Sequence, residues 1–529
     1  VNNFADALLG NDDFIKGLAA KLTKSDTINN ATGLLWYDLR PVVQLLYPFK
    51  ELIPCISKLP RVDADGGNAF HWLRITAVNN TNVSPGVSEG NRGARIAIAT
   101  QPQQATYKTL GLESSVTFEA RLGSKNLRPD SLGNAVQSTL RSTMISEEQT
   151  LILGNASTLL GQAGTPTLTA SGTGSSLTAV PLYVVCVPLS GLGWLTYTPW
   201  NYVSSTGGVP GQVTKNNADG SVDTFGGGSG KPSAQATITP AAGQNVTASV
   251  PVLNGAVAYA WFVGTTSNAT TLLGITQSNE VIINQLPAAN QQPITSLQVG
   301  GVYQDNSVNA LLPDGILSQI FGSVFGAAPG TAMRTNANFP STNIALSGGG
   351  SLVYTAATGN TGLTISGTNI IEFDQLLQAA YDTYKIGFDK ILMSAVDIAN
   401  FSDTMFAGSA QTAFRILFDA DETTGRIVAG RRVTSYLNKF FGNTLDIEIH
   451  PYLPPGTIIF WSDRTPYELS GVENLLEAHV RQDYYQIQWP LQTRRYEYGV
   501  YVDEVFACYF TPAFAVITNL NPPTGVPTI

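Results

Sequence analysis

Arg481-Gln-Asp-Tyr-Tyr-Gln-Ile-Gln-Trp-Pro-Leu-Gln-Thr-Arg-Arg-Tyr-Glu-Tyr-Gly-Val-Tyr-Val-Asp-Glu504 is the stretch on which the fold turns. From Gln482 to Thr518 the chain reads as a set of long strands dense in aromatic side chains, among them Tyr484, Tyr485, Trp489, Tyr496, Tyr498, Tyr501, Phe506, Tyr509 and Phe510. Such residues fit a pleated, half-buried surface. Arg494-Arg495 here and Arg431-Arg432 upstream are the only paired basic sites. An inter-subunit ion pair, a phosphate contact and a solvated face all remain open for them.

Working toward the N-terminus, residues 304–465 have a mixed pattern. Phe373, Leu376, Leu377, Ala380 and Tyr384 predict an amphipathic helix, and Ile391–Ser394 a strand leading into another helix. Pro454-Pro455-Gly456 marks a turn before a strand at Thr457–Trp461. Residues 166–296 predict seven or so short strands punctuated by Thr, Gly and Ser, which suits a two-sheet sandwich. In it Val257, Tyr259, Trp261 and Val263 share one strand face and Ala258, Ala260 and Phe262 the other. Gly226–Gly230 reads as a flexible loop and not a phosphate cradle.

Residues 130–153 predict the clearest helix: Asp130 or Ser131 as cap, an apolar stripe of Leu132, Val136, Leu140, Met144 and Leu151, and Gly154 as stop. Residues 61–124 predict a long two-stranded excursion. Its legs are Phe70–Ile75 and Tyr107–Ala120, with a polar segment, Asn79 to Thr100, between them. An isolated ribbon is marginal in water, so it needs a neighbour to lie on. Residues 1–60 predict an arm of short helical pieces broken by Pro41, Pro48, Pro54 and Pro60.

Composition narrows the function. Of 529 residues, 29 are Lys or Arg and 38 Asp or Glu, a formal charge of −9, against a dedicated nucleic-acid binder. Charged residues are only 13% of the chain, about half the usual share, which suits part of an assembly better than a free monomer. Residues 1–150 hold 29 charged side chains and residues 156–304 only five, a shift expected of an inserted domain. Cys55, Cys186 and Cys508 show no CxxC spacing and read as buried free thiols. No apolar run is long enough for a membrane helix, and the first 30 residues lack an apolar signal core. The start at Val1 fits either loss of an initiator or proteolytic maturation.

Catalytic and nucleotide signatures are absent: no G-x-G-x-x-G, no G-x-x-x-x-G-K-[ST], no G-x-S-x-G. His71, His450 and His479 are scattered and read as structural, with a metal site assembled only by folding left open. Neither catalytic residues, cofactor nor metal is expected. Asp12-Asp13 and Glu147-Glu148 are adjacent carboxylates on different helix faces and read as solvated charge. Asp419-Ala-Asp-Glu422 with Gly425 misses the calcium-loop spacing.

Taken in order, these parts resemble the major capsid proteins of tailed phages, with the HK97-type fold. The terminal segment 481–504 carries the likeness, with Ala513-Phe-Ala-Val-Ile-Thr-Asn519, Arg432-Val-Thr-Ser-Tyr-Leu437, His450-Pro-Tyr-Leu-Pro-Pro-Gly456 and Glu89-Gly-Asn-Arg-Gly93 in support. The resemblance covers about 1–165 and 300–529. It implies an α+β fold with an N-terminal arm (1–61), an extended hairpin loop (62–124), a peripheral domain with a spine helix (125–165 and 466–529) and an axial domain (297–465). The middle (166–296) resembles an immunoglobulin- or fibronectin-type inserted sandwich.

The implied function is a non-enzymatic shell: hexamers and pentamers closing into an icosahedral head, assembled in the host cytoplasm and residing in the virion. It would enclose double-stranded DNA without sequence-specific binding. A cement or decoration protein, a portal and a scaffold are the implied partners, and no membrane is involved. Glu89, Arg92, Arg95, Arg494 and Arg495 are the candidate inter-subunit contacts. Some members crosslink their shells from a lysine of the extended loop; here the tip has Arg92 and Arg95 but no lysine, and Lys108 lies well down one strand, so a non-covalent shell is expected. The alternatives are an encapsulin-like storage compartment of the same fold and, for residues 166–296 alone, an adhesin or fibre component.

Overall fold

The structure is a computed structural model. It describes residues 49–78, 86–93, 95, 98–124, 130–217, 219–322, 351–366, 369–407, 433–463, 472–491 and 493–529. The expectations for residues 1–48, for Arg431-Arg432 and for the acidic segment 419–425 lie outside the described residues.

The terminal aromatic stretch forms a long antiparallel hairpin, Leu476–Gln488 with Arg495–Cys508. Arg61–Asp63 adds parallel to its first strand and Lys108–Thr117 antiparallel to its second, giving four strands. The long helix Ser131–Leu153 packs across Lys108–Thr117 and Arg495–Cys508. Asp130 caps it, accepting from the Gly133 N–H at 2.8 Å, and Gly154 ends it. The expected apolar stripe is only half-buried at Leu132, Val136, Leu140 and Met144. Thr139, Thr143 and Glu147 go fully inside instead. The threonines can be buried because each hydroxyl bonds back to a helix carbonyl, Thr139 to Ala135 at 2.9 Å and Thr143 to Thr139 at 3.0 Å. Glu147 and Glu148, expected in solvent, are also fully buried; their partners come from distant segments that the local pattern does not reveal.

The excursion is a hairpin, but its return leg differs from the expected one. Ala69–Val78 pairs with Ile98–Thr106, not with the strand after Tyr107. That next strand, Lys108–Thr117, belongs to the four-stranded sheet, and Phe118–Gly123 is a short helix. Alternation alone could not say which partner each strand takes.

The charge-poor middle forms two facing sheets. One has four strands in the order Ala236–Ile238, Leu182–Leu189, Ala258–Gly264, Thr271–Thr276; the other has Glu280–Ile283, Asn245–Ser249, Thr167–Ser171. Tyr259, Trp261 and Val263 meet Val246, Ala248, Val281 and Ile283 between them. Ala258, Ala260 and Phe262 bury the other face against Val209, Ile294 and Leu297, while Val257 joins the main core with the long helix. The segment Gly226–Gly230 is not a flexible loop. It is buried and threaded between neighbours: Gly226 N bonds Val308 O at 3.0 Å, Gly228 N bonds Asn306 O at 2.8 Å, and Gly230 N bonds Pro188 O at 2.8 Å. Gly228 has φ +110°, and a Cβ there would fall 2.1 Å from Gly193 N, so only glycine lets the two backbones approach.

A six-stranded mixed sheet completes the fold, in the order Leu352–Thr355, Phe514–Thr518, Ile458–Trp461, Lys390–Met393, Thr444–Ile449, Ser435–Leu437. Helices Ile371–Tyr384 and Ala395–Ala407 cover one face, with Phe373 and Phe401 stacked at 5.6 Å. Leu392, Ile459 and Val516 on the other face pack with Leu151–Leu153 and with helix Ile316–Gly322. Phe514–Thr518 thus leaves the long-strand sheet with which the sequence pattern groups it. The sandwich is clasped to this sheet by buried amides: Asn279 N donates to Asn519 Oδ1 at 2.7 Å, and Asn521 Nδ2 to Glu280 Oε1 at 2.8 Å.

Candidate assembly surfaces and a buried charge node

Among the described residues the hairpin Ala69–Val78/Ile98–Thr106 has no third strand. Its root is fixed by aromatic rings: Phe70 stacks on His479 at 3.8 Å, and Trp72 meets Tyr509 edge-on at 5.9 Å. Tyr509 in turn bridges His479 Nε2 at 2.9 Å and donates to Glu477 at 2.9 Å. Burial holds His479 below the ordinary histidine range despite the nearby Glu477. Just beyond this root Leu73 is 77% exposed. The ribbon is therefore anchored at its root and exposed at Leu73 just beyond it.

The expected contact residues fall into two separate groups. Glu89, Arg92 and Arg95 are exposed at the far end of the hairpin, where Asn91 turns back on Ser88 through N–H to O at 3.1 Å. Arg494 and Arg495 are exposed beside the turn of the terminal hairpin. Arg494 pairs with Glu119 at 2.7 Å, both largely in solvent, a contact worth little to stability. Beside them Arg121 lies over the Tyr496 ring at 4.7 Å, which itself stacks on Phe118 at 5.8 Å.

A charged group with no local sequence signature clusters inside. Arg61 binds Glu147, reaches Asp483 at 2.9 Å and lies 3.8 Å from Glu504. Tyr484 donates to Glu147, and its ring faces the Arg61 guanidinium at 4.7 Å. Burial raises the Glu147 carboxyl in spite of Arg61, and raises Glu504 further, with Glu147 adding repulsion. On the other side of the helix, Glu148 accepts from Cys55 N at 3.0 Å, Ile56 N at 2.7 Å and His450 Nε2 at 2.8 Å. Because Tyr452 N donates to His450 Nδ1 at 3.3 Å, the ring proton sits on Nε2. Neither nitrogen is free to deprotonate Cys55, whose thiol burial and Glu148 both push up. The group is a structural pin and not a nucleophile–base pair.

No protein-family model matches the chain, and no curated protein matches it. Solved structures do. The capsid of a native GTA particle is 9% identical with TM-score 0.38, covering 94% of this chain and 100% of that one. The cyanophage A-1(L) capsid is 10% identical with TM-score 0.41, covering 93% and 99%. The capsid of Myoviridae phage XM1 is 8% identical with TM-score 0.36, covering 88% and 92%. The chain itself is an α+β protein. Among the described residues no helix is long and apolar enough to cross a membrane.

Proposed function

We propose that this chain is the major capsid protein of a tailed phage, closing as hexamers and pentamers into an icosahedral head around double-stranded DNA. One observation carries the reading: a ribbon of nine- and ten-residue strands, rooted by stacked rings and paired with no other strand among the described residues. A lone ribbon is marginal in water; laid over another copy, it gains the burial that its own subunit does not supply. On this reading the ribbon is the extended loop, Ser131–Leu153 the spine helix, and the segments 125–165 and 466–529 the peripheral domain. The six-stranded sheet is the centre of the axial domain (297–465), with Phe514–Thr518 contributed from the chain's end. The sandwich (166–296) projects outward as an immunoglobulin-like decoration.

Glu89, Arg92, Arg95, Arg494 and Arg495 serve contacts between copies, and a cement protein, portal and scaffold act on the same shell. Lys108 pairs within the long-strand sheet opposite Glu504, away from the hairpin's far end, which supports a non-covalent shell. Sedimentation with electron microscopy tests the proposal. Closed shells tens of nanometres across that carry nucleic-acid absorbance support it. Shells filled with protein cargo would transfer the fold to an encapsulin-like compartment. A monomer or small oligomer from infected cells would overturn it.

A further inference from the structure

We propose that Cys55, Glu148 and His450 form a binding site for one divalent transition-metal ion of zinc-like softness, which staples three distant chain segments together. A thiol sulfur, a carboxylate oxygen and an imidazole nitrogen lie within 4.8 Å of one another, and all three residues are buried. Among the described residues this is the one group of three such ligands that converges. Sulfur, nitrogen and oxygen donors together suit zinc better than the all-oxygen shells of calcium or magnesium. A tetrahedral ion sits about 2.0–2.3 Å from each donor, so His450 Nε2 and Glu148 Oε1, 2.8 Å apart, open slightly as it enters while the Cys55 sulfur closes on them.

Charge balance favours the ion. A divalent cation, one thiolate and one carboxylate sum to zero, which removes the cost of an unbalanced buried charge. The protons also balance. Cys55 gives its thiol proton to solvent, and the His450 proton moves from Nε2 to Nδ1, so the 2.8 Å bond to Glu148 and the long 3.3 Å contact from Tyr452 N are exchanged for the bond to the ion. Glu148 keeps its two backbone donors, Cys55 N and Ile56 N, and offers the ion the lone pair that His450 vacates. One proton is released per ion, so binding strengthens as pH rises. A cleft of about 320 Å³, lined by Cys55 with Lys58, Lys390, Glu448 and Trp461, reaches the cysteine side of the group. Cys186, the fully buried thiol of the sandwich core, serves as an internal control.

The site stands independently of the capsid reading. The test is titration of the metal-free full-length protein with Co²⁺. The expected result is one equivalent per chain, a near-ultraviolet thiolate-to-cobalt band, visible absorption of a four-coordinate ion, and displacement by Zn²⁺. The thiolate band is lost in Cys55→Ser and kept in Cys186→Ser. His450→Gln weakens binding by more than about tenfold, since even loss of an outer-shell partner does that. A spectrum without the band at one equivalent, or a band surviving Cys55→Ser, overturns the site. X-ray absorption of the zinc-loaded wild-type chain needs no variant to fold: one sulfur in the shell is required, and an all nitrogen-and-oxygen shell overturns the proposal.

Discussion

Glu147 on the long helix and Glu504 on the last long strand are each fully shielded from solvent and stand close enough to bond through one proton. Among the described residues neither oxygen of Glu504 finds another hydrogen-bond donor. The bond between the carboxyls therefore forms only when one of them is protonated. Arg61 and Tyr484 both engage Glu147, which makes it the charged member and Glu504 the one that keeps the proton. The node joins the strand after the arm, the helix and the terminal hairpin.

That pairing fixes the sign of a pH dependence. Burial first, and Glu147 second, raise Glu504 above its unfolded value, so the folded state holds a proton that the unfolded chain releases. Stability then falls as pH climbs above the unfolded carboxylate range, until the folded group itself ionises. Asp397 adds a slope of the same sign: burial raises it from 3.8 to about 6, so its share is confined between those values. Glu504→Gln cannot ionise. It should be more stable than wild type at pH 8, by a few kcal/mol at most, with the gap shrinking toward pH 4. Thermal unfolding across that range measures it, and parallel curves for the two proteins would refute the shared proton.

Arg61 should be among the most sensitive positions. Removing it leaves Glu147 charged and uncompensated in the interior, a loss of about 3–5 kcal/mol for a buried pair. Lysine should rescue poorly, because the guanidinium reaches Glu147 and Asp483 while covering the Tyr484 ring. Urea unfolding of Arg61→Ala, Arg61→Lys and Arg61→Ala with Glu147→Gln should rank the double variant above the single alanine.

This node shows where sequence reading stops. The long helix was legible because its signals are local: a capping Asp130, a stop at Gly154, and periodicity between them. The alternating faces of Ala258–Gly264 were legible because strand geometry separates odd from even residues whatever lies opposite. Glu147 and Glu148 were misread because neighbouring carboxylates without a local partner look solvated; Arg61, Tyr484 and His450 reach them only through tertiary pairing. The hairpin's return leg was misplaced for a related reason. Ile98–Thr106 and Lys108–Thr117 are nearly continuous, so only the partner strands separate them. The expected contact residues are all exposed, in the two groups that their sequence positions already separate.

Gly228→Ala should damage the sandwich although it adds one methyl group. Its φ of +110° disfavours any side chain, and the new Cβ would press on the backbone of Gly193. Backbone cannot move aside as a flexible side chain does, so the loss should exceed the 1–3 kcal/mol usual for overpacking. Hydrogen exchange should show faster opening at Gly226–Gly230 and at Asn306, whose N–H and C=O pair with this segment. Unchanged protection there would mean that the crossing is loose.

Leu73→Asp separates assembly from folding. The side chain is 77% exposed in the single chain, so a charge there should leave unfolding of the dissociated subunit within about 0.5 kcal/mol of wild type. If the ribbon lies over a second copy, the same carboxylate is buried without a partner in every contact of the shell, and closed particles should nearly vanish. Phe70→Ala, which loses the stack on His479 at 3.8 Å, should also lower particle yield, but through a loosened root that hydrogen exchange in Ala69–Val78 reports. Sedimentation of both variants beside wild type gives the comparison. Wild-type yields of closed shells from Leu73→Asp would show that the exposed face of the ribbon takes no part in holding copies together.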